Sequence, residues 1–367
     1  MPRFGDTGLV VGTGESGPLD CITDVPGVKV GHVTLIEGDG ELVVGRGPVR
    51  TGVTVILPHP GDPWDEPLFA GFHTLNGCGE MTGTHWVRES GMLLSPVALT
   101  STLSVGAVYE GLVRWAARGA SRELLDSGIL PVVAETWDGH LSDGFGTHVR
   151  PDHVAQAIEN ATDGPVPEGN VGGGTGMICH GFKGGVGTSS RRLRLPGGGY
   201  TVGVLVQANH GMRERLVVNG VPIGRRIDDS EVPVPCDPHV SGSIITVVAT
   251  DVPLLPHQCR RVAQRVDLAI GRLGGLGEDG SGDLSLAFST ANRGALTRTR
   301  GDAARTLESG IHALSSMHID ELFALTVEAT EEAILNALFA AETMVGRDGI
   351  TAYELPRDRF LEEIARG

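Results

Sequence analysis

Ser243 is the residue of this sequence that is best placed to act as a nucleophile, because it follows Gly242 and opens the apolar segment SIITVVAT at 243–250. If the bond between Gly242 and Ser243 were broken, Ser243 would carry both a hydroxyl nucleophile and a free α-amine. An α-amine has a pKa of about 7.7–8.0, so about 10–20% of it is free base at pH 7 and can serve as a built-in general base. Glycine suits such a cut because it tolerates strained dihedral angles and opens its carbonyl to attack. Without the cut, a Gly-Ser pair at this boundary is an ordinary turn.

Asn209 follows a valine-rich segment, in the sequence VQANHG at 206–211. Acyl transfer needs a hydrogen-bond donor in place where negative charge develops on oxygen, and an asparagine amide supplies one. Loss of such a donor costs on the order of 10²–10³ in rate. An asparagine before Gly211 is also typical of a turn, so the residues alone leave both interpretations open.

Two further polar groups lie beside predicted strands. Glu135 and Trp137 follow the segment 129–134, where a carboxylate facing a pocket could pair with the ammonium of a substrate and so require a free N-terminus. A solvated turn acid is the alternative. Ser281 and Asp283 flank Gly282 in a glycine-rich stretch, which by itself predicts an ordinary turn.

These residues depend on strands and helices for their positions. Runs rich in Val and Ile predict strands at 28–35, 52–57, 129–134, 201–208, 243–250 and 284–288. The run at 243–250 is apolar almost throughout, as in a strand covered on both faces.

Helical spacing of apolar residues predicts helices over 105–115, 154–158, 259–273 and 322–338. Asp152 is the expected N-cap of the second. The third follows Pro256 and ends at Gly274, and the fourth is expected to be interrupted near Thr330. Strands and helices are grouped rather than alternating, which favours a layered α+β fold over a doubly wound sheet.

The segment 225–241 is the predicted linker. It is polar and acidic and contains Pro233, Pro235 and Pro238. It leads directly to the predicted strand 243–250, so Ser243 occupies the first position of a core strand.

Composition restricts the partners and the compartment. The chain has 367 residues, a net charge of −16 and a pI of about 5.2, so nucleic acid is an unfavourable partner and amines are favourable ones. Five scattered cysteines without CxxC spacing indicate a reducing compartment. No signal peptide and no long apolar run is visible. The expectation is a soluble, cytoplasmic protein that binds neither nucleic acid nor membrane.

Neither a nucleotide nor a metal is expected. The glycine-rich stretch 172–187 lacks the GxxxxGK[ST] pattern, since Gly184 follows Lys183, and is expected to be a tightly packed structural loop. Thirteen histidines are dispersed without HExxH spacing. His85, His180 and His257 are therefore interpreted as core or turn residues, and no cofactor is predicted.

Five segments in one order carry a family resemblance: GPLDCITDVPGV (17–28), EGNVGGGTGM (168–177), GSII (242–245), ATDVPLLPHQ (249–258) and EEAILNAL (331–338). They resemble the peptidase family that contains L-aminopeptidase/D-esterase and the β-aminopeptidases. The matches run from about residue 17 to about residue 346, nearly the whole chain.

The resemblance implies a precursor of one catalytic domain, 1–367, that cleaves itself before Ser243. The products would be an α chain, 1–242, and a β chain, 243–367. The implied fold is an αββα sandwich, like that of N-terminal-nucleophile hydrolases but differently connected. The implied assembly is a homo-oligomer, a tetramer of αβ pairs.

The resemblance also implies roles for the polar residues. Asn209 would hold the oxyanion, Glu135 would bind the substrate amine, and Ser281 with Asp283 would support the nucleophile. The β-aminopeptidase branch has Ser-Gly-Glu at 281–283, so Asp283 keeps the type of group with one methylene less. Trp137 stands where a tyrosine is expected. An indole N–H donates but cannot exchange a proton, so an acid role of that hydroxyl would be lost, and Trp137 could instead narrow the pocket.

The predicted function is hydrolysis of short peptides, amides or esters with a free N-terminal amine through a Ser243 acyl-enzyme. One alternative is an acyltransferase like the ornithine acetyltransferases, which break before a threonine in an Ala-Thr-Met-Leu setting that residues 242–245 lack. Another is a non-catalytic protein that keeps the fold. The sequence leaves open whether α-, β- or D-amino acid substrates are preferred, and whether the Ser243 amine or Ser281 and Asp283 serve as base.

Overall fold

A computed structural model describes residues 2–195, 198–235, 242–296 and 309–367. The strands are β1 (Lys29–Glu37), β2 (Val49–Leu57), β3 (Leu68–Gly77), β4 (Met92–Leu93), β5 (Val97–Ser101), β6 (Val132–Thr136), β7 (Ile178–Cys179), β8 (Phe182–Lys183), β9 (Gly185–Leu195), β10 (Gly198–Asn209), β11 (Ser243–Thr250), β12 (Gly282–Ser289), β13 (Met344–Val345) and β14 (Thr351–Ala352). The helices are α1 (Thr84–Ser90), α2 (Val105–Ala117), α3 (Arg122–Ser127), α4 (Pro151–Glu159), α5 (Ile223–Arg226), α6 (Pro256–Ala263), α7 (Val266–Arg272), α8 (Ile319–Ala340) and α9 (Arg357–Arg366).

Two sheets stack face to face. Within the described residues, one has four strands in the order β1-β2-β5-β6 and the other has six in the order β4-β3-β12-β11-β10-β9. Apolar side chains from both sheets fill the space between them, among them Leu99 of β5 and Leu205, Ile245 and Leu286 of the larger sheet. Side chains of neighbouring residues in a strand point to opposite faces, so each sheet has a second face to cover.

Helices cover those outer faces. Helices α2 and α4 pack on the smaller sheet, where Val108 and Val154 join its apolar residues. Helices α6 and α8 pack on the larger sheet, and α7 packs against α8. Helix α9 adds Phe360 to the same apolar cluster, where its ring meets Phe339 of α8. The order of layers is helix, sheet, sheet, helix, which confirms the αββα sandwich of the α+β class. Strand β11 is buried on both faces along its whole length, as its sequence predicted.

The pairing within the larger sheet crosses the predicted cleavage point. β11 is antiparallel to β10 and parallel to β12, and β12 is antiparallel to β3. Both β11 and β12 follow residue 242, whereas β10 and β3 precede it. Elements on either side of the Gly242–Ser243 bond therefore share one hydrogen-bonded sheet.

Helix α8 runs without a break, so the predicted interruption near Thr330 is wrong. The Thr330 hydroxyl donates to the carbonyl of Thr326 at 2.7 Å, one helical turn earlier, and so remains compatible with the helix. The helix packs closely on β9 because Gly187 has no side chain: a Cβ there would overlap the carbonyl oxygen of Ala333.

Other boundaries differ from the sequence-based expectations. Helix α4 begins at Pro151 with Arg150 as the preceding N-cap residue, so Asp152 lies in the first turn and is not the cap. Proline takes the first helical position readily because the N–H that it lacks would be unpaired there. The third predicted helix is divided into α6 and α7, since the N–H of Arg265 bonds to the carbonyl of Val262, three residues earlier, at 2.9 Å.

The glycine-rich stretch 172–187 is buried throughout, in agreement with tight packing, but it includes β7, β8 and the start of β9. Cys21, Cys78, Cys179 and Cys259 are free thiols, and Cys236 lies outside the described residues. The predicted linker 225–241 starts within α5, and its last six residues, 236–241, also lie outside them. Along the described ranges no helix is long and apolar enough to cross a membrane.

Candidate active site

Ser243 is the first residue of β11, between β10 and β12 in the middle of the larger sheet. Its side chain is buried, with 6% relative exposure. The Oγ atom accepts a hydrogen bond of 3.0 Å from the backbone N–H of Gly282, which opens β12. The hydroxyl is thus held by a backbone donor of the neighbouring strand.

Asn209 is the last residue of β10 and pairs directly with Ser243 across the antiparallel ladder. Its Oδ1 accepts from the N–H of Ile178 at 2.7 Å, and its Nδ2 donates to the carbonyl of Trp137 at 3.1 Å. An amide nitrogen has two N–H groups. The two bonds fix the amide plane and leave the second N–H available for an oxygen of a reacting group.

Gly242 approaches the backbone of β10 so closely that no side chain fits. An ideal Cβ on Gly242 would overlap the carbonyl oxygen of Asn209. That carbonyl belongs to a strand that cannot shift without disturbing its ladder. The residue before Ser243 must therefore be glycine for β11 to start in this register.

Ser281 and Asp283 form a buried pair beside the start of β11. The Ser281 hydroxyl donates to Asp283 Oδ1 at 2.6 Å. Burial raises the pKa of the Asp283 carboxyl to about 6, and the hydrogen bonds from Ser281 and from the N–H of Ile244 lower it. Among the described residues no side-chain hydrogen bond joins Asp283 to Ser243; the Asp283 carboxylate instead interacts with the backbone N–H of Ile244.

Glu135 lies within β6 rather than after a strand, as the sequence had suggested. Its carboxylate accepts from the N–H of Glu80 at 2.9 Å and from the hydroxyl of Thr102. Burial raises the pKa of this carboxyl above its ordinary value. A Cβ on Gly79 would lie 3.2 Å from Glu135 Oε1 and 3.0 Å from the Cα of Gly282. The carboxylate is therefore close to the residue that holds the Ser243 hydroxyl.

A cavity of about 570 Å³ opens beside the site, with Trp137, Asn209 and Gly242 in its wall. Glu135 does not line it. The half-buried Trp137 ring meets Phe145 edge to face, with ring centroids 6.3 Å apart. The cavity wall also carries charged groups of both signs: Arg213, Glu214, Arg225, Asp228 and Asp229.

Lys183 stabilises the backbone next to the site. In the sequence it was noted only because the residue after it, Gly184, does not fit a phosphate-binding loop. Its fully buried Nζ donates to the carbonyls of Gly174, Met177 and Gly184 at 3.3, 3.0 and 2.9 Å. Burial lowers the pKa of this ammonium to about 7. These bonds fold the stretch that ends at Ile178, whose N–H orients Asn209. A buried position cannot be read from one lysine among glycines, so no sequence signal marked this role.

The site has a serine at the start of a central strand of an αββα sandwich, an asparagine opposite it and a serine–acid pair beside it. This arrangement defines an enzyme of the N-terminal-nucleophile hydrolase type. The model of peptidase family S58 matches residues 20–352. The chain belongs to peptidase family S58, and it is an aminopeptidase of that family.

Individual relatives agree with this assignment. The β-peptidyl aminopeptidase BapA of Sphingosinicella xenopeptidilytica is 46% identical over 98% of this chain and 90% of its own length. The structure of a Burkholderia sp. β-aminopeptidase superimposes with a TM-score of 0.92 at 46% identity, covering 100% of this chain and 99% of that one. The L-aminopeptidase D-Ala-esterase/amidase of Ochrobactrum anthropi, described as a new variant of the Ntn hydrolase fold, gives a TM-score of 0.90 at 42% identity, with the same coverage.

Proposed function

We propose that this enzyme cleaves its own Gly242–Ser243 bond and then hydrolyses short peptides, amides or esters that carry a free N-terminal amine. The observation that carries the proposal is the position of Ser243: first in β11, opposite the Asn209 amide and held through Oγ by the N–H of Gly282.

Self-cleavage begins with attack of the Ser243 Oγ on the carbonyl carbon of Gly242. The C–N bond breaks, the glycyl group moves to Oγ as an ester, and the nitrogen of Ser243 becomes an amine. Water then hydrolyses the ester, which frees Oγ and leaves a carboxylate on Gly242. The nitrogen of Ser243 is not a free amine before the cut, so the pair of Ser281 and Asp283 is proposed to accept the Oγ proton at this stage.

Turnover uses the same atoms. Ser243 Oγ attacks the substrate carbonyl, the free N–H of Asn209 Nδ2 stabilises the oxyanion, and water releases the acyl group. Glu135 binds the substrate ammonium, because Glu80 and Thr102 hold its carboxylate near Gly282 and burial strengthens a charge pair. Trp137 limits the width of the cavity.

The chain is proposed to work as one catalytic domain in which the two products stay together. After the cut, β11 remains hydrogen-bonded to β10 and β12 to β3, so the α chain 1–242 and the β chain 243–367 share the sheet. A tetramer of such pairs is the proposed assembly, which light scattering of the purified enzyme would test.

N-terminal β-amino acids are proposed as accepted substrate residues. The support is the 45–46% identity to two proteins named as β-peptidyl aminopeptidases. A β-residue places one more carbon between the ammonium and the carbonyl. Acceptance therefore requires a larger separation between Glu135 and Ser243 than an α-amino acid substrate needs.

Mass spectrometry of purified wild type and Ser243→Ala tests the maturation step. Wild type should give two chains with a new N-terminus at Ser243, and the variant one chain, because it has no Oγ. The p-nitroanilides of β-alanine, L-alanine and N-acetyl-L-alanine then test the substrate class. Release from the first two and not from the acetylated compound is expected. A folded wild type that stays full-length refutes self-cleavage, and equal turnover of the acetylated substrate refutes the amine requirement.

A further inference from the structure

Cys179, His180 and His210 form a cluster beside the active site that the proposed reaction does not use. One potential ligand atom from each residue lies within 4.8 Å of the other two, and all three residues are buried. His210 lines the 570 Å³ cavity and directly follows Asn209. The cluster joins two segments, since the N–H of His180 donates to the carbonyl of His210 at 2.7 Å.

The hydrogen bonding of His180 fixes which ring nitrogen is free. Its Nδ1 lies 3.2 Å from the carbonyl oxygen of Met212, which can only accept, so Nδ1 carries the proton. The Nε2 atom then presents a lone pair, and it is buried without a hydrogen-bond partner. A ring whose Nδ1–H donates to a carbonyl while Nε2 stays free has the orientation of metal-binding histidines.

The distance between the other two residues fits a shared ion. Cys179 Sγ and His210 Nδ1 are 3.8 Å apart. Sulfur and nitrogen ligands of a tetrahedral Zn²⁺, bonded at about 2.3 and 2.0 Å, lie about 3.6 Å apart.

A thiol–imidazole nucleophile is the competing interpretation. The Cys179 thiol is fully buried, and apolar surroundings disfavour the thiolate that a nucleophile requires. A divalent ion changes this by taking the place of the proton. In that exchange an S–H bond breaks, a metal–sulfur bond forms and one proton leaves to solvent.

We propose that Cys179, His180 and His210 bind one divalent ion of the Zn²⁺ class beside the cavity that His210 lines. The sequence led to an expectation of no metal because its histidines show no HExxH spacing, whereas this cluster is brought together only by the fold. The site is separate from the proposed hydrolytic reaction, in which no step uses these side chains.

Cobalt and zinc binding to the processed wild-type enzyme test the site, after treatment with a chelator and dialysis. Co²⁺ is expected to bind at one equivalent per αβ pair and to give a thiolate-to-cobalt charge-transfer band and intense visible bands of a tetrahedral site. Zn²⁺ should displace it. Cys179→Ser should lose the charge-transfer band and weaken zinc binding by at least about tenfold. Cys259→Ser removes another fully buried thiol, on α6, and should change neither.

His180→Gln is the second variant, and circular dichroism establishes that each variant is folded. The His180→Gln substitution should weaken zinc binding while leaving the Cys179 thiol in place. The proposal is overturned if wild type binds no stoichiometric Co²⁺, or if folded Cys179→Ser keeps the charge-transfer band. Because binding is measured without turnover, failure here is distinct from failure of the proposed hydrolysis.

Discussion

Asn209 and Ser243 face each other as the last residue of one strand and the first residue of its antiparallel neighbour. The pairing places an amide donor beside a hydroxyl with no intervening loop. Both residues are anchored from outside the pair, Asn209 by Ile178 and Trp137 and Ser243 by Gly282. Rigid strands hold such groups more accurately than loops do, which suits the donor role proposed for Asn209.

Asn209→Asp should test that donor, because it keeps an oxygen for the Ile178 N–H and removes the N–H groups of Nδ2. Turnover per processed molecule is expected to fall by about 10²–10³. Steady-state kinetics, normalised to the cleaved fraction on a gel, measures this. Asn160→Asp, an exposed change of the same kind on the surface, should have no effect. Wild-type turnover in Asn209→Asp would remove the oxyanion role.

Asp283→Asn separates two candidate bases. If Asp283 supports Ser243, turnover should fall by about 10²-fold. The wild-type rate should then drop as pH falls through about 6, where the Asp283 carboxylate takes up a proton. If the α-amine alone is the base, the rate should stay within a few-fold and the acidic limb should lie at about pH 7–8. Asp279→Asn, an exposed acid in the same glycine-rich turn, is the matched control.

The same variant should be more stable than wild type at neutral pH. The folded-state pKa of Asp283 is raised, from 3.8 to about 6, mainly by burial. Between these values the folded chain holds a proton that the unfolded chain releases, so the stabilisation is present below about 4 and is lost as pH rises through 6. The melting temperature of Asp283→Asn should exceed that of wild type at pH 7 and approach it at pH 4. A lower melting temperature at pH 7 would contradict the burial cost.

Glu135→Gln should mainly impair substrates with a free amine, since a charge-assisted bond becomes a neutral one. The expected loss in kcat/KM is about tenfold. Asp229→Asn removes an exposed acid from the cavity wall and should leave the preference for free amines unchanged. The opposite result for these two variants would place the ammonium in the cavity rather than at β6.

Gly242→Ala should block or greatly slow self-cleavage, because the new methyl group overlaps the carbonyl of Asn209 and displaces the bond that must be attacked. The full-length fraction, followed over time on a denaturing gel, should exceed that of wild type. Gly106→Ala adds a methyl group in open space on helix α2 and should process normally. Processing of Gly242→Ala at the wild-type rate would show that the close approach has no role.

Sequence patterns succeeded where burial is uniform. Strand β11 has the predicted bounds because apolar residues occupy both faces. Strand β9 was missed because it contains Arg191, Arg192 and Arg194. Arg191 can be buried because acidic side chains pair with it, among them Glu332 of α8, which lies 141 residues away and cannot be supplied by local pattern. Gly187, which weakens a strand signal, is there to admit α8.

The candidate site shows the same limit. Ser243, Asn209, Ser281 and Asp283 were singled out and do lie together, although their roles stay predictions. The groups that orient them are mostly backbone atoms, the N–H of Gly282 and Ile178 and the carbonyl of Trp137. Any residue type supplies those atoms, so only the fold reveals them.

In the larger sheet, β11 and β12 follow residue 242 but lie between strands that precede it, and this order has a consequence for refolding. Before the cut, β11 and β12 reach their places between β10 and β3 as parts of one chain, and closing the loop costs only chain entropy. After the cut, the same insertion is a second-order encounter of two polypeptides that depends on concentration. The α and β chains of the cleaved enzyme are therefore expected to refold poorly when they are diluted from denaturant. The uncut Ser243→Ala chain should refold far better under the same conditions. The lifetime of the cleaved enzyme would then depend on its rate of unfolding rather than on a reversible folding equilibrium.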